Sequence, residues 1–124
     1  MSLCYYELFS FQVTIPFSFE VIAGNGIFDS GIIDLMCRVV PTMMTTGSTF
    51  SINIYPYFAY VYDPYVTLDF ALGRAGSLFE NQLKLCRAAL NNIGASSLPI
   101  IVGETGWPSE GGKGFIHKIG RAHV

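Results

Sequence analysis

The stretch LPIIVGE at residues 98–104 decides the fold class of this chain. It is a continuous apolar run that is too short for a helix, and it ends in the carboxylate of Glu104. Runs of this kind are typical of parallel strands that are covered on both faces. The stretch therefore predicts a buried parallel strand with an acidic side chain at its carboxyl end.

A helix is predicted directly before this strand. Ser77 and Glu80 have the spacing of a capping box, in which the serine caps the helix and the glutamate reaches back to it. Gly94 favours the end of the same helix. The apolar stripe between these two signals consists of Phe79, Leu83, Cys86, Leu90 and Ile93.

Two further strands are predicted in the first half of the chain. Residues 12–22 and 49–56 are rich in β-branched and aromatic residues. Pro56 marks the end of the second strand because proline cannot donate a ladder hydrogen bond. An aromatic-rich loop is expected after it, carrying Tyr57, Phe58, Tyr60, Tyr62 and Tyr65.

A helix is predicted between these two strands. Asp29 and Ser30 are plausible N-caps, and apolar residues follow them at helical spacing. Pro41 interrupts the pattern, so we expect a kink or an early stop near Cys37.

The resulting order of strand, helix, strand, helix, strand predicts an α/β fold. Such alternation implies parallel strands joined by right-handed crossovers, as in a (β/α)8 barrel or a doubly wound sheet. Three strands cannot close a barrel, and a complete one takes about 250 residues. The chain therefore corresponds to about half a barrel.

Composition excludes several classes of protein. Hydrophobic residues make up 51% of the chain and charged residues 13%, which favours a packed core over disorder. The net charge of −2 has no basic stripe, so nucleic acid is not an expected partner. No transmembrane segment is predicted, and residues 1–11 lack the basic start of a signal peptide.

The cysteines indicate neither a disulfide framework nor a metal site. Cys4, Cys37 and Cys86 lie far apart and are odd in number. We expect Cys37 and Cys86 to be small core residues. No metal and no cofactor are predicted.

Both ends of the chain are set apart from the predicted domain at residues 12–112. Residues 1–11 are unassigned and are interpreted as non-native sequence. Residues 113–124 are predicted to form a disordered tail of artefactual origin, because they are glycine-rich and basic without periodicity.

Several motifs, in order along the chain, resemble glycoside hydrolase family 17, the plant-type endo-1,3-β-glucanases. They are VTIPF at 13–17, NIYPYFAY at 53–60, VTLDFAL at 66–72, SLFENQ at 77–82 with AAL at 88–90, and IVGETGWPS at 101–109. The resemblance implies a partial (β/α)8 barrel, with strands 5 to 7 at residues 12–21, 50–55 and 98–104.

The resemblance also implies a retaining glycosidase with Glu104 as the nucleophile. Tyr55 would hydrogen-bond the Glu104 carboxylate and orient it for attack. Retaining enzymes need a second carboxyl as acid and base. In the family this second carboxyl is the glutamate of an Asn-Glu pair that precedes the first strand seen here, so no acid/base residue is assigned in this chain. Glu20, the other carboxylate near a strand end, is the alternative weighed for this role. The isolated chain is therefore expected to be inactive.

The expected partner is β-1,3-glucan, in a secreted protein of the cell wall or apoplast. Tyr57, Phe58 and Trp107 are candidate groove residues because aromatic faces suit glucose rings, although each could equally pack the loop. Asn53 is either a substrate contact or a hydrogen-bonding residue of the barrel interior. Tyr60, Tyr62 and Tyr65 are expected to be structural. The alternatives to an enzyme are a non-catalytic β-glucan-binding protein and a gene fragment that does not fold.

Overall fold

The computed structural model describes residues 12–110, so the predictions for residues 1–11 and 113–124 lie outside the described range. The elements are β1 (Pro16–Ser18), a short 3-10 helix (Phe19–Val21), α1 (Ile33–Thr46), β2 (Phe50–Asn53), α2 (Pro56–Tyr62), α3 (Leu68–Ala71), α4 (Leu78–Asn92) and β3 (Ile100–Glu104). No helix between residues 12 and 110 has the length and apolar content of a membrane-spanning segment.

The three strands form one parallel sheet in the order β1-β2-β3. In the centre of the sheet, Ile52 pairs with Phe17 on one side and with Val102 on the other. Helices connect the strands, as parallel pairing requires. The prediction of an α/β fold with parallel strands is confirmed.

The hydrophobic core lies between the sheet and helices α1 and α4. Phe50, Ile52 and Ile54 are all 0% exposed and define the outer face of the sheet, which the helices cover. Ser51 and Asn53 alternate with them and define the inner face, which corresponds to the interior of a barrel. The helices contribute Met36, Val40, Cys86 and Leu90 to the core.

Helix α4 begins and ends where the sequence predicts. The Ser77 hydroxyl oxygen accepts a hydrogen bond from the backbone N–H of Glu80 at 3.2 Å. The helix ends just before Gly94, whose φ is +82°. Arg87 then donates to the carbonyl of Leu98 at 2.8 Å, which ties the helix to the residues leading into β3.

The strands are shorter than predicted. Only Pro16–Ser18 pairs with β2, because the Ser18 hydroxyl accepts from the N–H of Glu20 at 3.4 Å and starts the 3-10 helix instead. Strand β2 ends at Asn53, two residues before the end at residue 55 that the family resemblance implies. Strand β3 begins at Ile100, since Pro99 lacks the N–H that a ladder needs.

The early stop expected near Cys37 does not occur, because α1 runs through Pro41. Pro41 and Cys37, four residues earlier, are both exposed, so the carbonyl that loses its helical donor faces solvent. Met36 and Met43 are buried on either side of the proline and hold both halves of the helix on the core. Cys37 is consequently not a core residue, whereas Cys86 is buried as predicted.

The predicted caps at Asp29 and Ser30 are also wrong. Helix α1 begins at Ile33, and Ile32 in the cap position makes no side-chain hydrogen bond. Asp29 accepts instead from the N–H of Gly31 at 2.9 Å. Its side chain therefore stabilises the turn before the helix and not the helix itself.

The aromatic stretch after β2 is a helix and not the expected loop. Pro56 occupies the first turn of α2, where a missing N–H has no cost and the fixed φ suits a helix. Helix α3 follows, and its cap Thr67 accepts from the N–H of Phe70 at 3.2 Å. These two short helices carry the aromatic side chains at the carboxyl edge of the sheet.

Candidate active site

Glu104 and Tyr55 meet at the carboxyl edge of the sheet. Glu104 is the last residue of β3, and Tyr55 lies two residues beyond the end of β2. The Tyr55 hydroxyl donates a hydrogen bond to Oε2 of Glu104 at 2.9 Å. This is the contact that the family resemblance implies, and it joins residues 49 positions apart in the chain. The Glu104 side chain is exposed and therefore accessible to a ligand.

The hydrogen bond to Glu104 raises the pKa of Tyr55 above its ordinary value of 10.0. Partial burial of the phenol and the negative charge of Glu104 raise this pKa further. Removing the phenolic proton would place a second negative charge beside the carboxylate. Tyr55 therefore remains a neutral donor throughout the physiological pH range.

The pairing of β2 with β3 shifts by one residue just before Glu104. Ile52 pairs with Val102, but Asn53 pairs with Glu104, so Gly103 is an extra residue in β3. Bulges of this kind occur at barrel rims and next to active sites, where they redirect a side chain. Sequence reasoning missed the bulge, although a glycine inside a strand pattern is its usual signal.

Asn53 lies beside this pair and borders a cleft of about 460 Å³. Its Oδ1 is buried and has no hydrogen-bond partner among residues 12–110. Buried polar atoms are almost always paired, so Oδ1 is an acceptor available to a ligand or a water molecule. This position is compatible with both roles predicted for Asn53, a substrate contact and a hydrogen-bonding residue of the barrel interior.

Gln82 of α4 borders the same cleft and was not predicted. The residue is 6% exposed, and its Oε1 has no partner in the described range. The signal was a polar residue on the apolar stripe of α4, four positions before Cys86. Glu20 also borders this cleft and is exposed.

A second cleft, of about 390 Å³, lies among the predicted groove residues. The rings of Tyr57 and Trp107 pack edge to face with centroids 5.1 Å apart, and Tyr57 contacts Phe58 at 5.7 Å. Phe58 is 50% exposed and also contacts Tyr55 at 5.2 Å. The three predicted groove residues are therefore brought together next to Tyr55.

The other tyrosines do not share one role. Tyr60 stacks on Trp107 with centroids 6.0 Å apart, which agrees with a structural function. Tyr62 and Tyr65 are 80% and 92% exposed. The expectation that they are structural does not suit these exposures: Tyr62 is the last residue of α2, and Tyr65 lies in the turn between α2 and α3. Within residues 12–110, no three His, Cys, Asp or Glu side chains are placed to hold a metal ion.

The family model that matches this chain is that of glycosyl hydrolases family 17, over residues 21–122. A glucan endo-1,3-β-glucosidase of Glycine max is 39% identical over 99 residues, which cover 73% of this chain and 39% of the relative. One of Vitis vinifera is 36% identical over 102 residues, which cover 72% and 30%. The chain thus spans well under half the length of these relatives.

Solved structures of plant enzymes contain the same fold. A β-1,3-glucanase and allergen of Cryptomeria japonica pollen matches with a TM-score of 0.77 and 28% identity, covering 81% of this chain and 36% of that one. A plant β-glucan endohydrolase matches with a TM-score of 0.79 and 27% identity, covering 89% and 42%. The described sheet and helices are therefore a partial (β/α)8 barrel, as predicted.

Proposed function

Because the chain belongs to glycosyl hydrolase family 17, we propose that it carries the nucleophile side of the active site of a retaining endo-1,3-β-glucanase, with Glu104 as the nucleophile. The observation that carries this proposal is the hydrogen bond from Tyr55 to Glu104 at the carboxyl edge of the parallel strands. This edge is where barrel enzymes place their catalytic residues.

The proposed reaction begins with attack of the Glu104 carboxylate on the anomeric carbon of a glucosyl unit. Tyr55 holds Oε2, so we assign the attack to Oε1. A bond from Oε1 to the anomeric carbon forms as the bond to the leaving oxygen breaks, and that oxygen departs with the electron pair. Tyr55 acts by orienting the carboxylate, because its neutral hydroxyl donates to the charged oxygen.

The leaving oxygen of a glucan must be protonated by a second carboxyl group about 5–5.5 Å from the nucleophile. We assign this role to no residue between 12 and 110. Help from a general acid typically contributes about 10²–10⁴-fold to the rate. The 124-residue chain on its own is therefore expected to hydrolyse glucan very slowly.

The substrate proposed for the whole enzyme is β-1,3-glucan, in the cell wall or apoplast. The half-exposed ring of Phe58, beside Tyr57 and Trp107, offers an apolar surface for the C–H face of a glucose ring. Asn53 Oδ1 offers an unpaired acceptor for a sugar hydroxyl. The relatives from Glycine max and Vitis vinifera carry the name of this activity, which supports the choice.

An activated substrate tests the role of Glu104 without the missing acid. In 2,4-dinitrophenyl β-laminaribioside the leaving phenolate needs no proton, so attack by Glu104 alone releases it. We expect a burst of dinitrophenolate that approaches one equivalent of protein. Glu104→Gln should abolish the burst, while Glu110→Gln, an exposed glutamate beyond β3, should leave it unchanged. A burst that persists in Glu104→Gln contradicts the proposal.

A second candidate function is β-glucan binding without turnover. The exposed face of Phe58 at the aromatic cleft favours it, because such surfaces bind sugars whether or not chemistry follows. Isothermal titration with laminarioligosaccharides separates the two functions. Binding that Phe58→Ala weakens, together with no dinitrophenolate burst, would favour a binding protein over an enzyme.

A further inference from the structure

We propose that Tyr62 is a specificity-determining residue, which at the outer end of the cleft beside Asn53 contacts a sugar unit two units away from the one at Glu104. The inference rests on the proposed function and deepens it, because it names the side chain that favours longer oligosaccharides. Tyr62 is 80% exposed, so its ring adds little to the core.

Helix α2 sorts its aromatic side chains onto two faces. Tyr57 and Tyr60 pack on Trp107, with ring centroids 5.1 Å and 6.0 Å from it. Phe58 and Tyr62 are four positions apart, which makes them neighbours on a helix surface, and both line the cleft of about 460 Å³. Packing on Trp107 therefore explains the first face, and the cleft explains the second.

The second face of α2 extends outwards from the active site. Tyr55, which donates to Glu104, lines the same cleft, and its ring centroid lies 5.2 Å from that of Phe58. Tyr62 follows one helical turn later, a rise of about 6 Å for four residues. Each of these two steps is comparable to the length of one glucose ring. A sugar unit at Tyr62 is therefore the third, counted from the unit at Tyr55.

The other residues of the cleft suit a neutral ligand that is rich in hydroxyl groups. Gln82 is 6% exposed, and neither its Oε1 nor Oδ1 of Asn53 has a hydrogen-bond partner among residues 12–110. The exposed side chain of Glu20 also borders the cleft and, when ionised, accepts hydrogen bonds. None of the described residues that line the cleft carries a positive charge. Acceptors without a cation favour hydroxyl donors over phosphate or carboxylate groups.

The place of Tyr62 on this cleft separates it from an ordinary exposed tyrosine. Aromatic side chains scattered singly on a surface are common and indicate no site by themselves. Tyr65 is of this kind, since it is 92% exposed and does not line the cleft. The Tyr62 ring instead adjoins Phe58, where its apolar face can meet the C–H groups of a sugar while its hydroxyl stays in water.

The experiment measures the binding of laminaribiose and laminaritetraose to the 124-residue chain by NMR titration. Tyr62→Ala should weaken laminaritetraose binding by about three- to tenfold, the contribution expected of one aromatic contact. Laminaribiose should lose much less affinity, because Tyr55 and Phe58 accommodate its two units. Tyr62→Phe retains the ring and should bind both oligosaccharides like the wild type.

Tyr65→Ala is the matched control, because it removes an equally exposed tyrosine three positions away. Both tyrosines are exposed, so neither substitution should unfold the chain. Tyr65→Ala should leave both affinities unchanged. Wild-type affinity for laminaritetraose in Tyr62→Ala would overturn the proposal, as would an equal loss for the two oligosaccharides or an equal effect of the two alanine variants. A folded wild type that binds neither oligosaccharide would overturn it as well.

A second copy of this chain is the other candidate occupant of the exposed aromatic surface. Analytical ultracentrifugation of the wild type and of Tyr62→Ala distinguishes it from a sugar. A dimer that Tyr62→Ala dissociates, together with unchanged laminaritetraose binding, would overturn the proposal in favour of self-association.

Binding requires no chemistry, so this proposal and the proposed nucleophile fail separately. A missing dinitrophenolate burst, with the effect of Tyr62→Ala on laminaritetraose intact, counts against Glu104 alone. An intact burst, with binding that is indifferent to position 62, counts against the outer sugar contact alone.

Discussion

Replacing Phe50 by alanine should remove a large part of the stability of this chain. Phe50 is 0% exposed, stacks on Phe17 with centroids 5.2 Å apart and meets Phe28 edge to face at 6.0 Å. Truncation of a buried phenylalanine costs about 4 kcal/mol. Domains of ordinary stability unfold at about 5–15 kcal/mol, so Phe50→Ala should leave a marginal fold.

A matched pair of variants separates burial from ring contacts. Phe50→Leu keeps most of the apolar volume and loses two aromatic pairs, for a cost of about 2 kcal/mol. Phe58→Ala, at a half-exposed position, should cost less than about 1 kcal/mol. Urea unfolding, followed by the fluorescence of Trp107, the only tryptophan, measures the free energy of unfolding of Phe50→Ala, Phe50→Leu and Phe58→Ala. Equal midpoints for Phe50→Ala and Phe58→Ala would refute the reasoning, and a wild type without a cooperative transition would favour a fragment that does not fold.

Three further variants test the capping and titration of single residues, all by urea unfolding. Ser77→Ala should lower the free energy of unfolding by about 1 kcal/mol, because it leaves the α4 N–H groups without their cap; an unchanged midpoint contradicts the cap. Burial raises the pKa of the Cys86 thiol from 9.0 to about 11. The stability that the neutral thiol contributes is therefore complete below pH 9 and is lost by about pH 11. The difference in free energy of unfolding between the wild type and Cys86→Ala should shrink across that window. The hydrogen bond to Glu104 raises the pKa of Tyr55 above 10.0. The stability that the neutral phenol contributes is therefore complete below pH 10 and is lost as the pH rises through the pKa of the folded state. A difference in free energy of unfolding between the wild type and Tyr55→Phe that stays constant above pH 10 would contradict this linkage.

The parts of the fold that the sequence predicts well are those with local signals. The apolar run before Glu104 and the capping box at Ser77 each combine hydrophobic pattern with a boundary residue, and both elements lie where expected. The position of Tyr55 followed from the resemblance of its motif, and the structure places its hydroxyl 2.9 Å from Glu104. At these positions the structure expected from the local sequence is the one observed.

The failures arise where tertiary context overrides a local rule. Pro41 remains inside α1 because its face is exposed and the buried residues around it hold the helix together. The aromatic residues after Pro56 favour strands or loops by propensity, yet the proline starts a helix there. Gly103 is a local signal for the bulge, but the pairing of Glu104 with Asn53 depends on the register between two strands, which a local pattern does not give.

Locating the sugar after covalent trapping tests the central claim most directly. A 2-deoxy-2-fluoro laminaribioside with a dinitrophenolate leaving group should form a stable ester, and tandem mass spectrometry of the digested protein identifies the residue that carries it. The account predicts a single modified peptide with the sugar on Glu104, absent from Glu104→Gln. Sugar on Glu20 or another carboxylate, with Glu104 unmodified, would contradict it.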